Sequence, residues 1–278
     1  MAALLTQAAM QLAAVTEQPR DEAEWLLAEL LCVDRSRLRF FDEPLTPAQR
    51  TRYAEWLAQR AAGRPFAYIT GTQPFRRLML HVTPAVLIPR DDTGTLVQWA
   101  LDLLKLYAPG AAVLDACTGS GCVALALADE APQHRYMGSD VSVAALAVAQ
   151  ANAARLKLPV QWLRADGLRL RIQHAGFQLI TANPPYIAEG DPHLPALRHE
   201  PTLALVSGAD GLHLLRGLIE QAPARLLEGG WLLLEHGYDQ AAAVRALLTA
   251  RGFVDVETRR DEGGRERVSG GRRGAAHG

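Results

Sequence analysis

The fold is decided by a strand, a glycine-containing turn and a helix that follow one another in residues 113–128. The apolar residues Val113 and Leu114 lead into the turn Asp115-Ala116-Cys117-Thr118-Gly119-Ser120-Gly121, and a helix of small residues is predicted for 123–128. Glycines in such a turn let a ligand approach the backbone closely, and the start of the helix presents unpaired N–H donors. The stretch is therefore typical of an α/β protein with a ligand site at the carboxyl ends of its strands.

The same alternation of strand and helix extends outward from this turn. Strands are predicted at 113–115, 136–140, 160–163, 177–180, 231–235, 253–258 and 266–269. Helices are predicted at 96–106, 123–128, 143–156 and 211–227. This pattern favours an α/β fold with a doubly wound, mostly parallel seven-stranded sheet, in which the last two strands form an edge hairpin.

The residues before this region follow a different pattern. About 70 residues read as helical, and Asp21-Glu22-Ala23-Glu24 resembles a capping box while Thr46-Pro47 begins another helix. Two short strands are predicted at 78–82 and 86–89, with Thr83-Pro84 as the turn between them. We therefore expect an N-terminal helical domain at 1–73, a linking β-hairpin at 74–92, the main domain at 93–270 and a disordered tail at 271–278.

Composition narrows the class of protein. The chain has 278 residues and a formal net charge of -1, which argues against binding nucleic acid through many phosphate contacts. Its three cysteines form neither a CxxC pair nor a disulfide framework, its histidines lack metal-ligand spacing, and no apolar run reaches the roughly 18 residues of a membrane helix. We expect a cytoplasmic monomer without a metal site or a membrane anchor.

A carboxylate after the second strand indicates the kind of cofactor. Asp140 ends that strand 19 residues past Gly121, where it can accept hydrogen bonds from two ribose hydroxyls. The turn at 115–121 matches neither G-x-G-x-x-G nor the phosphate-binding loop with its lysine, so a nucleotide triphosphatase is not expected. The combination indicates an adenosine-containing cofactor, although an ordinary strand–helix turn is the alternative.

Asn183-Pro184-Pro185-Tyr186 follows the fourth predicted strand and suits the task of holding a planar –NH2 group. Asn183 offers a side-chain carbonyl, a proline-fixed turn can present a backbone carbonyl, and Tyr186 offers a flat face. Two acceptors aimed at one amino group would orient its nitrogen lone pair. Together with the loop at 117–121 and Asp140, the motif indicates S-adenosylmethionine as the cofactor.

These residues resemble the release-factor glutamine N5-methyltransferase family. The resemblance runs from about residue 60 to near the end of the chain. It is carried by the blocks 63–71, 82–84, 87–90, 118–121, 183–187, 200–205, 208–212 and 235–240. The Asn-Pro-Pro-Tyr motif alone is shared with adenine-N6 methyltransferases, whereas the surrounding blocks are more particular to the glutamine enzymes.

The resemblance implies a class I S-adenosylmethionine-dependent methyltransferase with an N-terminal domain that docks release factors. Its substrate would be the glutamine of a Gly-Gly-Gln motif in class 1 peptide chain release factors. The catalytic residues would be Asn183, Pro184, Pro185 and Tyr186, with Asn183 and the Pro184 carbonyl as acceptors. The cofactor would be bound by Cys117, Thr118, Gly119, Ser120, Gly121, Asp140, Leu168 and Asn183.

Three positions depart from the family pattern. Cys117 stands where a glycine is usual, so we expect either weaker cofactor binding or a backbone that avoids positive φ there. Leu168 replaces a larger group near the adenine, which predicts an apolar wall with less stacking. Asp91-Asp92-Thr93-Gly94 replaces Pro-Glu-Thr-Glu, and no role is assigned to Asp92. Glu200 and Glu235 are expected in loop or capping networks rather than as charge-tuning groups.

Two other functions remain open from the sequence. The first is adenine-N6 methylation of nucleic acid, which would require base flipping and a basic recognition surface. The second is a non-catalytic release-factor binder with a decayed cofactor site, which the departures at Cys117 and Leu168 would signal. The intact motif at 183–186 weighs against decay.

Overall fold

The computed structural model describes residues 1–171 and 176–275, and the chain divides into two compact units, Met1–Thr72 and Gln73–Gly278. Within the described residues, no helix combines the length and apolar character needed to cross a bilayer.

The first unit is helical. Its elements are α1 (Ala2–Leu12), α2 (Pro19–Leu31), a 3-10 helix (Arg35–Phe40), α3 (Pro47–Ala61) and the short α4 (Phe66–Thr70). Leu12, Leu26 and Leu27 are fully buried between these helices, and the buried Tyr53 hydroxyl donates to the Ala23 carbonyl at 2.8 Å. An apolar core of its own therefore holds this unit together.

The two predicted helix starts in this unit have different outcomes. Thr46 caps α3 through a complete capping box with Gln49, as the sequence predicts. The capping box predicted at 21–24 is wrong, because α2 begins two residues earlier at Pro19 and its N-cap, Gln18, makes no side-chain cap. Proline is preorganised for the first helical position, so it starts the helix without a capping side chain.

The linking hairpin is built from residues earlier in the chain than the sequence predicts. Its strands are β1 (Thr72–Phe75) and β2 (Leu78–His81). Residues 86–89, predicted as a strand, form none; Val86 and Ile88 are buried by packing instead. The Ile88 N–H donates to the Glu200 carboxylate at 3.1 Å, which uses the donor that a strand ladder would need.

The second unit is the α/β domain. Its strands are β3 (Ala112–Ala116), β4 (Arg135–Asp140), β5 (Val160–Arg164), β6 (Phe177–Ala182), β7 (Leu226–Glu235), β8 (Phe253–Arg260) and β9 (Glu266–Arg273). Its helices are α5 (Gly94–Leu104), α6 (Cys122–Glu130), α7 (Val143–Leu156), α8 (His213–Gln221) and α9 (Ala241–Ala250). Short 3-10 helices lie at Asp91–Thr93, Leu194–Leu197, Thr202–Ala204 and Ala222–Ala224.

The sheet has the predicted architecture. Its seven strands are ordered β5-β4-β3-β6-β7-β9-β8, and only the pairs made by β9 are antiparallel. Alternate residues of β3 face opposite sides: Val113 belongs to the core beneath α5 and α6, and Leu114 to the core beneath α8 and α9. The prediction of a doubly wound, mostly parallel sheet is confirmed.

Two boundaries near the end of the domain differ from the prediction. The helix predicted for 211–227 ends at Gln221, since Pro223 cannot continue it, and β7 already begins at Leu226. The tail predicted to be disordered from residue 271 is wrong for 271–273, which lie in β9 and pair with β7 and β8. Residues 276–278 of that tail lie outside the described residues.

The strand register brings the functional motifs to one level. Ala116, the last residue of β3, pairs with Ser139 of β4 and with Ala182 of β6. The chain leaves β3 toward β4 and β5 and later returns on the other side of β3 as β6. The loops after β3 and β6 therefore diverge at a topological switch point, where open α/β sheets form their ligand crevice.

Candidate active site

A cavity of about 390 Å³ opens at this edge of the sheet. Its lining comes from residues 117–120 after β3, 140–142 after β4, 165–167 after β5, and Asn183 with Pro185 after β6. Residues of the loops 85–90 and 201–208 also contribute to the lining. The glycine turn, Asp140 and Asn183 thus open into the same space.

The turn after β3 is held by hydrogen bonds that leave it open to the cavity. The Thr118 N–H donates to the Ser139 carbonyl at 2.9 Å, and the Gly121 N–H donates to the Thr118 carbonyl at 2.8 Å. Gly121 has φ +82°, and a Cβ there would lie 2.8 Å from the Trp162 indole. A Cβ at Gly119 would meet nothing within 4 Å. Glycine is therefore required at Gly121 by packing, whereas Gly119 faces free space.

Cys117 adopts the left-handed conformation, with φ +56°. The expectation that the backbone avoids positive φ at this residue is wrong, because the turn keeps the shape that a glycine would allow. Burial raises the pKa of the Cys117 thiol, and Asp140, Asp115 and Asp166 raise it further. A reactive thiolate is therefore disfavoured, and the carboxylates near this loop favour a cationic ligand over a phosphate.

Asp140 is anchored by the backbone on both of its oxygens. The Gly119 N–H donates to Oδ2 at 2.9 Å, and the Ser142 N–H donates to Oδ1 at 2.9 Å. An ionised carboxylate has about four lone-pair sites, so further capacity remains for hydroxyl donors in the cavity. The side chain is therefore oriented before any ligand arrives.

Asp115 is a cavity residue that the sequence reasoning did not single out. It is buried and accepts hydrogen bonds from the Thr118 hydroxyl at 2.5 Å and the Thr181 hydroxyl at 3.0 Å. Burial raises its pKa to about 7. A carboxylate in an otherwise apolar strand was the available signal, because such a residue needs buried hydrogen-bond partners.

Asn183 is hydrogen-bonded to Thr93, a residue to which the sequence analysis assigns no role. Its Nδ2 donates to the Thr93 hydroxyl oxygen at 3.1 Å, across 90 positions of the chain. Thr93 ends the 3-10 turn Asp91–Thr93 and is buried. The adjacent Asp92 pairs with the Arg267 guanidinium at 3.1 Å, so this acidic residue serves an ion pair.

Pro184 and Tyr186 lie beside the cavity rather than in its lining. Pro184 is buried, and Tyr186 packs against the core beneath α8 and α9. The Tyr186 hydroxyl donates to Glu235 at 3.5 Å, and its carbonyl accepts from the Gln240 side chain at 2.9 Å. The flat face expected at Tyr186 is therefore not part of the cavity wall, and Pro185 takes that place.

Glu200 joins two loops that contribute to the cavity. One of its oxygens accepts the Ile88 N–H at 3.1 Å, and the other accepts from the Arg90 guanidinium. The carboxylate is buried, while Arg90 is partly exposed and lines the cavity. Glu200 thus acts in a loop network, as the sequence reasoning favours.

Leu168 is not where the predicted adenine wall requires it. Its side chain is 1% exposed and belongs to the core beneath α8 and α9. Its N–H donates to the Gln221 side chain at 2.9 Å, so the backbone donor is also committed. The cavity wall on this side is made instead by the preceding residues 165–167.

Comparison with curated proteins decides the family. The release factor glutamine methyltransferase of Burkholderia pseudomallei (strain K96243) is 46% identical over 260 residues, which cover 90% of this chain and 91% of the relative. The chain belongs to the release factor glutamine methyltransferase family. Its relative of the same name in Coxiella burnetii (strain RSA 493 / Nine Mile phase I) is 41% identical over 275 residues, covering 95% of each chain.

Family models also match the chain, and solved structures share its fold. Residues 3–71 match the PrmC N-terminal domain, and residues 113–200 match a methyltransferase domain. A methyltransferase from Pyrococcus furiosus has a TM-score of 0.52 at 16% identity, covering 83% of this chain and all of that one. The Thermus thermophilus 16S rRNA N2 G1207 methyltransferase has a TM-score of 0.55 at 19% identity, covering 73% and 49%. At these identities, the two similarities show a shared fold only.

Replacing Cys117 of this family member with glycine should stabilise the domain by about 0.5–1 kcal/mol. Glycine removes the backbone strain of a left-handed residue that carries a side chain. Part of this gain is lost because glycine raises the conformational entropy of the unfolded chain. Urea unfolding measures it. Lys157→Gly is the matched control, since Lys157 has φ +57° at the C-cap of α7, outside the cavity lining. Stabilisation by Lys157→Gly without any by Cys117→Gly would contradict strain at Cys117.

The buried Glu235 predicts a pH-dependent stability. Burial raises its pKa to about 7, partly offset by a hydrogen bond from Thr93 and by the nearby Arg267. A carboxyl group with a raised folded-state pKa contributes stability below its unfolded pKa and loses it as the pH rises through the folded value. The relevant window runs from the ordinary value of 4.5 to about 7.

The variant Glu235→Gln should therefore gain stability relative to the parent protein as the pH rises through that window. The slope of the difference in unfolding free energy is expected to reach about 1 kcal/mol per pH unit. Urea titrations at pH 5, 6, 7 and 8 measure it. A difference that is constant with pH would show that Glu235 ionises as easily in the folded state as in the unfolded chain.

Proposed function

We propose that this protein transfers a methyl group from S-adenosylmethionine to the side-chain amide nitrogen of the glutamine in the Gly-Gly-Gln motif of class 1 peptide chain release factors. The observation that carries the proposal is the shared cavity, because Asp140 and Asn183 open into it from β4 and β6, the strands on either side of β3. Family membership supplies the substrate, since the relatives are named for glutamine methylation of release factors.

The residues around the cavity fit an adenosyl cofactor. Asp140 is held by two backbone N–H groups with acceptor capacity to spare, which suits a ribose diol. The space beside Gly119 allows close approach of a ligand to the backbone. Asp115, Asp140 and Asp166 line the cavity and suit the positive charge of a sulfonium. The turn after β3 would make its remaining contacts with the cofactor through Cys117, Thr118 and Ser120.

The chain's own residues would act on the amide mainly by orientation. A bound cofactor would supply an electrophilic methyl group on a sulfonium. Asn183 would accept one N–H of the glutamine amide through Oδ1. The family resemblance gives the Pro184 carbonyl as the second acceptor, and this residue lies beside the cavity rather than in its lining. Both acceptors direct the nitrogen lone pair and favour the positive charge that develops on the nitrogen. Water takes the proton after transfer, so no basic side chain is needed at the nitrogen.

The most direct test of the substrate is a labelling experiment. Purified protein is supplied with S-adenosylmethionine carrying a labelled methyl group, together with a class 1 release factor or with duplex DNA. Mass spectrometry then locates the methylated atom. We expect label on the Gly-Gly-Gln glutamine. Label confined to adenine would replace the proposal with nucleic-acid methylation, and cofactor binding without any transfer would indicate a non-catalytic binder.

The N-terminal unit would dock the release factor, as its match to the PrmC N-terminal domain suggests. This docking role is tested by measuring the affinity for the release factor of the full chain and of a variant in which Trp25 and Phe40 are replaced by serine. Both aromatic side chains are exposed in this unit, and each is covered by an arginine guanidinium. Unchanged affinity would show that these two residues are not part of the docking surface.

A further inference from the structure

Arg90 lies at the opening of the cavity with most of its hydrogen-bonding capacity unused. A guanidinium has five N–H donors, and the described residues take up one of them, at Nη2, which donates to the Glu200 carboxylate. The Arg90 side chain lines the cavity and is 40% exposed, whereas that of Glu200 is only 4% exposed. The other donors of the guanidinium are therefore available to a molecule that enters from solvent.

Two loops hold this guanidinium in place. The Glu200 oxygen that does not contact Arg90 accepts the Ile88 N–H at 3.1 Å, so the backbone two residues before Arg90 fixes the carboxylate. The Arg90 carbonyl accepts the Thr93 N–H at 3.2 Å. Because both ends of the residue are restrained, Arg90 has less conformational entropy to lose when it binds a ligand.

The same turn places Arg90 on the Asn183 side of the cavity. Thr93 closes the turn on the Arg90 carbonyl, and its hydroxyl oxygen accepts from Asn183 Nδ2 at 3.1 Å. The proposed ribose site at Asp140 follows β4, on the other side of β3 from β6 and Asn183. Arg90 therefore belongs to the substrate end of the cavity rather than to its ribose end.

The charges around the cavity favour a neutral acceptor for Arg90. Within residues 1–171 and 176–275, Arg90 is the only arginine or lysine in the cavity lining, and Glu200 balances its charge. Asp115, Asp140 and Asp166 also line the cavity, so an anionic group would be repelled there. A backbone carbonyl accepts N–H donors without adding a negative charge. It is therefore the acceptor that suits this guanidinium best.

We propose that Arg90 binds the backbone carbonyl groups of the substrate segment that flanks the glutamine. This inference rests on the proposed function for the identity of that segment. When a glutamine amide reaches Asn183, its own backbone stays toward the opening of the cavity, where Arg90 lies. The neighbouring glycines carry no side chain that would shield their carbonyls. Leu203, which lines the cavity from the loop 201–208 and is 62% exposed, offers such a segment an apolar contact.

The variant Arg90→Lys tests this contact without removing the ion pair. Lysine keeps a positive charge beside Glu200, but its compact ammonium lacks the second edge of the guanidinium. Calorimetry in the presence of S-adenosylhomocysteine gives the Kd for a class 1 release factor, and steady-state methylation gives KM and kcat. We expect both Kd and KM for the release factor to rise about 10-fold, with kcat within about threefold of the parent value.

Arg245→Lys is the matched control. Arg245 is 35% exposed and pairs with Glu266 at 3.1 Å, but it lies on α9 outside the cavity lining. It should leave Kd, KM and kcat within about twofold of the parent values. Urea unfolding of Arg90→Lys should match that of the parent, because the buried Glu200 keeps a cationic partner. An equal rise of KM in the two variants would overturn the proposal.

Two measurements distinguish a carbonyl from an anionic ligand. Arg90→Gln should leave the Kd for S-adenosylhomocysteine within about twofold of the parent value, and a rise of about 10-fold would assign Arg90 to the cofactor carboxylate instead. Arg90→Gln combined with Glu200→Gln removes both charges and keeps the local net charge. Its KM relative to the parent should change less than about twofold between about 50 and about 300 mM KCl. A ratio that falls toward one at the higher salt concentration would show that Arg90 contacts an anionic group such as a phosphate. Either of these contrary results would overturn the proposal.

The outcomes separate this inference from the proposed function. Unchanged Kd and KM in Arg90→Lys, or a fall in kcat alone, would overturn the role of Arg90 and leave the proposed function standing. A parent protein that transfers no methyl group to the release factor would instead overturn the proposed function. The calorimetric Kd needs no turnover, so it would still decide whether Arg90 contacts the release factor. A parent protein that neither methylates nor binds a release factor would overturn both.

Discussion

Replacing Asn183 with alanine is expected to lower kcat for glutamine methylation about 10²- to 10³-fold, the usual loss when one transition-state hydrogen-bonding group is removed. The Kd for S-adenosylhomocysteine should change little, because the ribose contacts proposed for Asp140 are untouched. Single-turnover methyl transfer and calorimetric binding measure the two quantities separately. The expected pattern is a loss of chemistry in a protein that still binds its cofactor.

Asp140→Asn is the companion variant with the opposite expected pattern. It keeps the shape of the side chain but loses the charge that accepts from the Gly119 and Ser142 N–H groups and, in the proposal, from the ribose. Cofactor affinity should fall about 10- to 100-fold, in line with the loss of one or two hydrogen bonds to a charged group. Full activity in Asn183→Ala would refute its proposed role, and unchanged affinity in Asp140→Asn would refute the ribose site.

The largest expected loss of stability follows from Gly211→Ala. Gly211 has φ +74°, and a Cβ there would lie 2.2 Å from the Tyr186 carbonyl oxygen and 2.7 Å from the Gln240 side-chain nitrogen. The Tyr186 carbonyl accepts a hydrogen bond from the Gln240 side chain. The added Cβ would therefore disrupt the hydrogen bond that holds Tyr186, the last residue of the motif at 183–186. We expect a loss of about 3 kcal/mol or more in unfolding free energy, together with reduced kcat.

Gly190→Ala is the matched control for this prediction. Gly190 has nearly the same backbone conformation, with φ +77°, but a Cβ there would meet nothing within 4 Å. It should cost only the strain of a left-handed alanine, about 1 kcal/mol, and leave kcat unchanged. Thermal and urea unfolding of both variants provide the comparison. Equal losses would show that backbone strain, and not the close approach to Tyr186, explains the need for glycine.

The sequence was sufficient to predict the parts of the site that follow strand ends. The turn at 115–121, Asp140 and Asn183 each come directly after an apolar run, and parallel strands carry such residues to one edge. The structure places them in one cavity because Ala116 pairs with both Ser139 and Ala182. Local pattern and sheet topology thus agree at these positions.

Other features depended on contacts that no local pattern reveals. Thr93 meets Asn183 across 90 positions, and Glu200 captures the Ile88 N–H across 112. The second contact also uses a backbone donor that a strand at the apolar stretch 86–89 would need. Leu168 was placed near the adenine by the family resemblance alone. The resemblance does not reveal that this side chain packs into the core beneath α8 and α9.

The central claim is that one crevice brings a ribose-bound methyl donor and a restrained glutamine amide together. The most direct measurement is a crystal structure of the protein with S-adenosylhomocysteine and a Gly-Gly-Gln peptide. The account predicts ribose hydroxyls on the Asp140 carboxylate and the glutamine amide nitrogen within about 3.2 Å of Asn183 Oδ1, facing the cofactor sulfur. A peptide amide bound on a different surface from the ribose, with Asn183 contacting neither, would contradict it.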